Sequence, residues 1–591
     1  MDWEPNSEVV AAANLSDLMT EVGVETVRDF HRWTCEHRDE FWDMMIARLG
    51  ISFMVPPRVL SEGPPQDTRW LPGAQLNISA SCFQAQAESV AVIYETDSGP
   101  RHLTVESLRA QVQACAGGLA RLGVSDGVRV AIAMPMTVES VIGYLAVVWA
   151  GGTVVSVADS FAAPEIHNRL KLADCDTVIT QDVVVRGRQQ FPMYEKVVDA
   201  GAVRCIVLET GAGVRLRGAD STWNALLAGG PMEEPVIRPV EGYTNLLFSS
   251  GTTGDPKVIP WDQSPPIKAA TDGYIHQDIK AGDVVAWPTN LGWMMGPWLI
   301  YAALLNKATI ALSSQLPNSL EFCRFVTNAG VTVLGVVPAL VKAWRVESGV
   351  EELDWSSVRV VTSTGEASSP DDMRWLMRLT NAPVIEYCGG TEIGGGYLSS
   401  TVIEPFDAST FTTPCAGLDI RLFDSGHESP DEGEVFIVPP SIGLSNVLLN
   451  RDHRAVYYDG VPGADVPLRR HGDQLRRLSS GHYRAMGRSD DTMNLGGIKV
   501  SSAEIERVVN AVEGVVESAA VGIPPGDGGP DRLVVFVVAP GEDADQLLVR
   551  MQDAIRNRLN PLFKIAEVRL VDAMPRTASA KVMRRALRDL L

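Results

Sequence analysis

From Ser16 to Leu49, apolar and aromatic residues recur at roughly helical spacing, which predicts a helical leader. Pro56–Pro57 and Pro64–Pro65 then break it. From about residue 75 to 240 the pattern changes. Short apolar runs at Val90–Tyr94, Arg129–Met134 and Thr153–Val157 read as strands, and Val105–Leu122 and Val138–Trp149 read as helices between them. Strand–helix alternation of this kind predicts an α/β fold with a largely parallel sheet. It continues through Ala308–Leu312, Val331–Val336 and Arg359–Ser363. From about Ile420 to Val438 the runs shorten between Gly and Asp, which predicts an antiparallel β section. The last hundred residues form a separate pattern. Helices at Ser501–Val512 and Ala544–Leu559, with strands at Val516–Gly522 and Leu533–Val538, predict a small α+β domain beginning near Ser489.

The most apolar stretch, Val141–Val157, is interrupted by Gly151 and Gly152 and flanked by Glu139 and Asp159. It predicts a buried helix, a turn and a buried strand, not a membrane span. The N-terminus lacks the basic start and apolar run of a signal peptide, and Leu590–Leu591 is no peroxisomal address, so a cytoplasmic location is expected.

Composition sets the limits on chemistry. With 591 residues, 45% hydrophobic and 21% charged, the chain can build a large core. Acidic residues outnumber basic ones 73 to 51. That excess argues against a nucleic-acid or anionic-membrane surface and leaves room for a local phosphate site. Eight scattered cysteines show no CxxC spacing, so they read as reduced thiols. Nine histidines form no HxxxH or HExxH pattern, which disfavours a histidine-held catalytic metal.

The segment Ser249-Ser250-Gly251-Thr252-Thr253-Gly254-Asp255-Pro256-Lys257 places four hydroxyls, two glycines and a lysine directly after the apolar run Leu246–Phe248. Glycines allow backbone to approach a phosphate, hydroxyls and N–H groups donate to its oxygens, and the lysine adds a point charge. It is not a Walker A loop. On residues alone it reads either as a phosphate loop or as a polar turn.

The segment resembles the phosphate loop of the adenylate-forming enzymes, which include acyl-CoA synthetases and peptide-synthetase adenylation domains. Five further segments resemble that family's motifs in order: Gly365-Glu366-Ala367, Tyr387-Cys388-Gly389-Gly390-Thr391-Glu392, Gly472-Asp473, Gly487-Arg488-Ser489-Asp490-Asp491 and Pro575–Lys581. Glu40-Phe41-Trp42 and Trp70–Asn77 resemble the leader of acetyl-CoA and acetoacetyl-CoA synthetases and plant acyl-activating enzymes. The resemblance implies a leader over 1–74, a large AMP-binding domain over 75–488 and a small C-terminal domain over 489–591 that rotates about a hinge.

It also implies a two-step reaction. A carboxylate attacks the α-phosphate of ATP to give acyl-AMP and pyrophosphate, and the thiol of coenzyme A then displaces AMP. Lys581 would bridge carboxylate and phosphate, Thr391 would lie near the α-phosphate, and Glu392 would be a Mg²⁺ ligand. Ser250, Gly251, Thr252, Thr253, Gly254 and Lys257 would hold phosphates, and Gly365, Glu366 and Ala367 the adenine. Asp473 would bind both ribose hydroxyls, with Arg488 as a second contact. Asp490 would be the hinge, and Gly496, Gly497 and Lys499 would serve the thioester step. The work is positioning and charge neutralisation.

Acetate-specific relatives close the acyl pocket with a tryptophan two residues before the motif threonine. Gly389 stands there in this chain, and Trp293, Met294 and Met295 match the other pocket-lining stretch. A bulky, mostly apolar acid is the expected substrate, and Gly389→Trp is expected to exclude it. Core packing is the other reading of those three side chains. Ala580 replaces the usual Gly before Lys581, where a Cβ could impair adenylation. A separate adenylating enzyme would then supply acyl-AMP while the thioester step stays intact. The alternative to a CoA ligase is a stand-alone adenylation enzyme that loads a carrier protein.

Overall fold

The capping residues that flank the apolar runs fix the helix starts. Thr137 and Ser140 cap each other's backbone N–H groups at the head of Val138–Trp149, a helix buried at every position but Glu139. The turn after it needs glycine. Gly151 has φ +79, and a Cβ there would lie 2.7 Å from Val236. Strand Thr153–Val157 follows, buried along its whole length. Val141–Val157 is thus a buried helix, a turn and a buried strand, as its pattern predicts. No helix among the described residues is long and apolar enough to cross a membrane.

The computed structural model describes all residues except 97–98, 188, 212, 250–255, 366, 489–491, 496–497, 524–530, 560–562 and 578–580. Ser250, Gly251, Thr252, Thr253, Gly254, Glu366, Asp490, Gly496, Gly497 and Ala580 therefore lie outside the described residues, as does the expected boundary at 489. For Arg488 and Lys499 the backbone alone is described.

Internal contacts separate the chain into two units. The larger holds Met1–Gly365, Pro370–Asp419 and Val438–Asp459, and the smaller holds 366–369, Ile420–Ile437 and Gly460–Leu591. Two sheets dominate the larger unit. In the seven-stranded one the order is Ser221–Thr222, Arg204–Leu208, Thr177–Gln181, Arg129–Ala133, Thr153–Val157, Asn245–Ser249, Lys257–Trp261, and only the last pair is antiparallel. The nine-stranded sheet has a parallel centre: Val384–Gly390, Val360–Ser363, Val333–Val336, Val284–Ala286, Thr309–Leu312 and Val90–Thr96. Antiparallel strands flank it, among them Gly395–Ser399 beside Val384–Gly390. Helices pack on these sheets, which gives the expected α/β fold.

The leader forms helices Ser7–Ala12, Asn14–Val22, Val27–Glu36 and Arg38–Leu49. Its aromatics bury against the rest of the unit. Phe41 and Trp42 are fully enclosed, and a Cβ on Gly417 would meet both rings at 2.8 Å.

Strands Asp419–Asp424, His427–Glu428, Glu432–Val438, Arg469–Arg477 and Tyr483–Arg488 share one sheet, which belongs to the smaller unit except for the end residues Asp419 and Val438. A second sheet of Glu517–Ile523, Arg532–Val538 and Ile565–Leu570 packs with helices Ser502–Val509 and Ala544–Arg558 around Ile505, Val509, Leu547, Met551 and Ile555. The short antiparallel section and the α+β module correspond to their sequence patterns.

Candidate active site

Strand Asn245–Ser249 runs out to the phosphate-loop segment and Lys257–Trp261 returns from it, with Ser249 opposite Lys257. Asn450 braces the return: its Oδ1 accepts from Val258 N at 2.9 Å and its Nδ2 donates to Pro256 O at 2.9 Å. Lys257 thus starts a fixed strand. Across from it, Val384–Gly390 ends in the tight turn Thr391–Ile393. Trp261 Nε1 donates to Thr391 O at 2.9 Å, and Ser445 N donates to Glu392 O at 2.9 Å. Lys257 Nζ lies 3.9 Å from Glu392 Oε1. The structure therefore brings together Lys257, Thr391 and Glu392 from two of the matched motifs. Glu392 offers a hard carboxylate oxygen, partly exposed, beside Lys257, and that donor chemistry fits Mg²⁺. Gly365 follows strand Val360–Ser363 with φ +92, a conformation that favours glycine.

Beneath the motif turn lies a polar network that sequence reading missed. Lys268 and Asp272 of helix Pro265–Ile275 and its C-cap residue His276 sit four residues apart along one stripe, all buried. Lys268 pairs with Asp272, and neither side chain has any exposure. Asp272 Oδ2 accepts from Tyr387 Oη at 2.7 Å and from Gly396 N at 2.8 Å. Trp298 Nε1 donates to Tyr387 Oη at 3.2 Å. One carboxylate therefore ties both strands of the motif hairpin to the helix. Burial, and then the Asp272 charge, push the Tyr387 phenol well up, so it stays a neutral donor. A sequence signal was present: Gly394-Gly395-Gly396 leaves room for close approach. A Cβ on Gly395 would sit 2.4 Å from Asp272 Oδ2, and one on Gly396 would sit 2.3 Å from the Tyr387 ring.

Asp272, His276 and Cys415 place potential metal-binding atoms within 4.8 Å of one another. The Lys268 ammonium already neutralises this carboxylate, and hydrogen bonds occupy its oxygens, so the group reads as structural. His276 Nδ1 faces Ser400 O and its Nε2 faces Ala416 N, both at 3.4 Å, an arrangement that suits the neutral ring. Burial, with Lys268 nearby and against the pull of Asp272, lowers its pKa from 6.5 to about 4. The unfolded chain takes up this proton near pH 6.5 and the folded one only near 4. Stability should therefore fall as pH drops through that window, by about 3 kcal/mol from this group. Urea midpoints measured from pH 7 to 4.5 should show the slope, and His276→Gln should flatten it.

Of the residues expected to line the acyl pocket, Trp293 packs edge-on against Phe161 at 5.5 Å, and the Arg169 guanidinium lies 3.7 Å above Phe161. Trp293 and Met294 are half-buried. Met295 is buried in the principal core, so core packing is the reading that applies to it. At Gly389 the backbone leaves no room for a side chain. A Cβ there would stand 2.1 Å from Gly395 O and 2.9 Å from Gly396 Cα. The space that a side chain at 389 would enter is occupied by the neighbouring strand, where the pairing register shifts between Cys388 and Gly389. Gly389 lies at the close approach of the two hairpin strands, where a side chain would collide with backbone.

In the smaller unit, Asp473 and Arg488 are register partners on adjacent strands, so the two expected ribose contacts share one edge of backbone pairing. Gly472 has φ +90, and His471 Nε2 lies 3.2 Å from Asp473 Oδ2. His471 is a further residue that sequence reading missed. Lys499 pairs with Asn494 in a two-stranded ribbon, Thr492–Leu495 with Ile498–Ser501. Lys581 is exposed; Thr577 N donates to Lys581 O at 2.8 Å, and Lys581 N donates to Thr577 Oγ1 at 3.2 Å. Ala367 is exposed.

The chain is similar to known proteins over its whole length. Residues 80–444 match the AMP-binding enzyme family, residues 504–581 the AMP-binding enzyme C-terminal domain, and residues 27–82 the acetyl-coenzyme A synthetase N-terminus. The chain is 42% identical to a probable peroxisomal acyl-activating enzyme 17 of Arabidopsis thaliana, over 100% of this chain and 88% of that one. It is 41% identical to hexanoyl-CoA synthase of Cannabis sativa, over 99% and 88%. The acetoacetyl-CoA synthetase from Streptomyces lividans superposes with a TM-score of 0.92 at 26% identity, covering 100% of this chain and 95% of that one. The chain belongs to the AMP-binding enzyme family, as an AMP-forming acyl-CoA synthetase of the branch that holds the acetyl-CoA synthetases and plant acyl-activating enzymes.

Proposed function

We propose that this synthetase converts a bulky, mostly apolar carboxylic acid to its coenzyme A thioester through an acyl-adenylate. The observation that carries the chemistry is the meeting of Lys257 with Glu392 beside Thr391. A lysine and a carboxylate on two braced strand ends place both charges of the site before a phosphate chain binds. Mg²⁺ held by Glu392 would neutralise charge on the phosphate oxygens. Asp473 accepts the ribose hydroxyls, with Arg488 across the strand, and Gly365, Glu366 and Ala367 border the adenine. Lys581 orients the carboxylate against the α-phosphate. Rotation about Asp490 then brings Gly496, Gly497 and Lys499 to the thioester step.

The size of the acid now rests on half-buried Trp293 and Met294 with Phe161, and on the relative named hexanoyl-CoA synthase. We place the reaction in the cytoplasm, where eight free thiols are stable. We also infer that adenylation is the slower half, because of Ala580, and that acyl-AMP from a separate enzyme is a second entry point.

Mass spectrometry with an acid panel, ATP and coenzyme A tests these readings, with a parallel arm given acyl-AMP. Thioester should form from both arms, faster from acyl-AMP, and Ala580→Gly should raise only the ATP arm. Preference for acetate would overturn the acid assignment. Equal rates in the two arms would overturn the slow-adenylation inference. Transfer to a carrier-protein thiol in place of coenzyme A would overturn the thiol assignment.

A further inference from the structure

Two residues 200 positions apart meet at the candidate site. Lys257 Nζ donates to Tyr457 Oη at 3.2 Å, and the same ammonium stands 5.0 Å from the centre of the Tyr457 ring. Lys257 Nζ also lies 3.9 Å from Glu392 Oε1. Tyr457 is 4% exposed and packs with Leu247, Ile259, Trp261 and Leu448. Behind it, the His453 ring lies 5.0 Å away between centroids, and His453 Nε2 is 2.7 Å from Ser445 O. Ser445 in turn donates its N–H to Glu392 O. The segment 445–457 therefore braces Glu392 with one end and meets Lys257 with the other. None of the matched motifs contains it.

A lysine side chain has four rotatable bonds and loses up to about 2 kcal/mol of rotamer entropy when fixed. An anchored phenol and an aromatic face set part of that conformation in advance. The Glu392 carboxylate balances the ammonium at the same time. A phosphate chain that arrives with its cation must separate Lys257 from Glu392, and the ammonium then needs a fixed partner that carries no competing charge. A neutral phenol fits that need.

We propose that Tyr457 is a positioning residue for nucleotide binding: it holds the Lys257 ammonium within reach of the phosphates while the Glu392 carboxylate exchanges its internal counter-ion for the metal. The proposal rests on the ATP-dependent reaction above. It assigns Tyr457 an effect on ATP and none on the acid or on the thioester step.

Tyr457→Phe keeps the ring, its packing and the cation–π contact, and removes the hydroxyl that accepts from Lys257. Calorimetric titration of the full chain with the Mg²⁺ complex of α,β-methylene-ATP should show about threefold to tenfold weaker binding in this variant, the range of one net hydrogen bond. KM for ATP should rise in proportion. KM for the acid, and thioester formation from supplied acyl-AMP, should stay unchanged. Tyr457→Leu should weaken the analogue further. Unchanged analogue affinity in both variants would overturn the proposal, and so would parallel shifts of ATP and acid KM, which mark a purely structural role. A wild-type chain that binds no ATP analogue would instead overturn the ATP-dependent reading, and this proposal with it. The two failures are therefore told apart by the wild-type titration.

Discussion

Asp272→Leu should abolish the stable larger unit, or leave it with its motif hairpin detached and adenylation lost. The leucine removes the acceptor of Tyr387 Oη and Gly396 N and leaves the Lys268 ammonium buried without its partner. Removing one member of a buried pair costs about 3–5 kcal/mol. Domains are commonly stable by only about 5–15 kcal/mol. The control is the double variant Lys268→Met with Asp272→Asn. It removes both charges at once and keeps an amide oxygen for Tyr387 and Gly396, so its urea midpoint should fall far less than that of Asp272→Leu. Circular dichroism, urea midpoints and pyrophosphate exchange measure the difference. Equal midpoints for Asp272→Leu and the wild type would show that the network does not hold the hairpin.

The elements most legible from sequence are those whose periodicity is uninterrupted. Val138–Trp149 and Thr153–Val157 are predicted to the residue, because the apolar runs and the glycine turn between them agree. The small α+β module is legible for the same reason, with ends displaced by a few residues, as at Ser502–Val509. The motif residues Lys257, Thr391 and Glu392 are legible by resemblance, and they meet.

The rest of the site is not local in sequence. Lys268 and Asp272 look like one polar face of a helix, a pattern that ordinarily faces water. Their burial is decided by Tyr387 and Gly396, over a hundred positions away. Tyr457 lies in a segment with no strong pattern, 200 residues from Lys257. His471 reads as one more polar residue until the strand places it against Asp473. In each case a tertiary contact assigns the role that periodicity leaves open.

Gly389→Trp separates two readings of one glycine. If position 389 faced an acyl pocket, the indole would shorten it: bulky acids would be lost, acetate would be accepted, and the overall rate with acetate would be sound. The backbone gives a different expectation. Even Gly389→Ala brings a Cβ to 2.1 Å from Gly395 O, well inside contact distance. Gly395 has little room to yield, because Asp272, Lys268 and Tyr387 crowd its other side. The hairpin must then open, and the overpacking costs about 1–3 kcal/mol. Thr391 and Glu392 hang on the end of that hairpin, so they move with it. A shift of about 1 Å at the reacting groups can cost about a hundredfold in rate. Both variants should therefore lose pyrophosphate exchange by about that factor for every acid tested, with Gly389→Ala nearly as impaired as Gly389→Trp. Selective loss of large acids in Gly389→Trp, with acetate turned over at the wild-type rate for its best acid, would restore the pocket-wall reading and refute the clash.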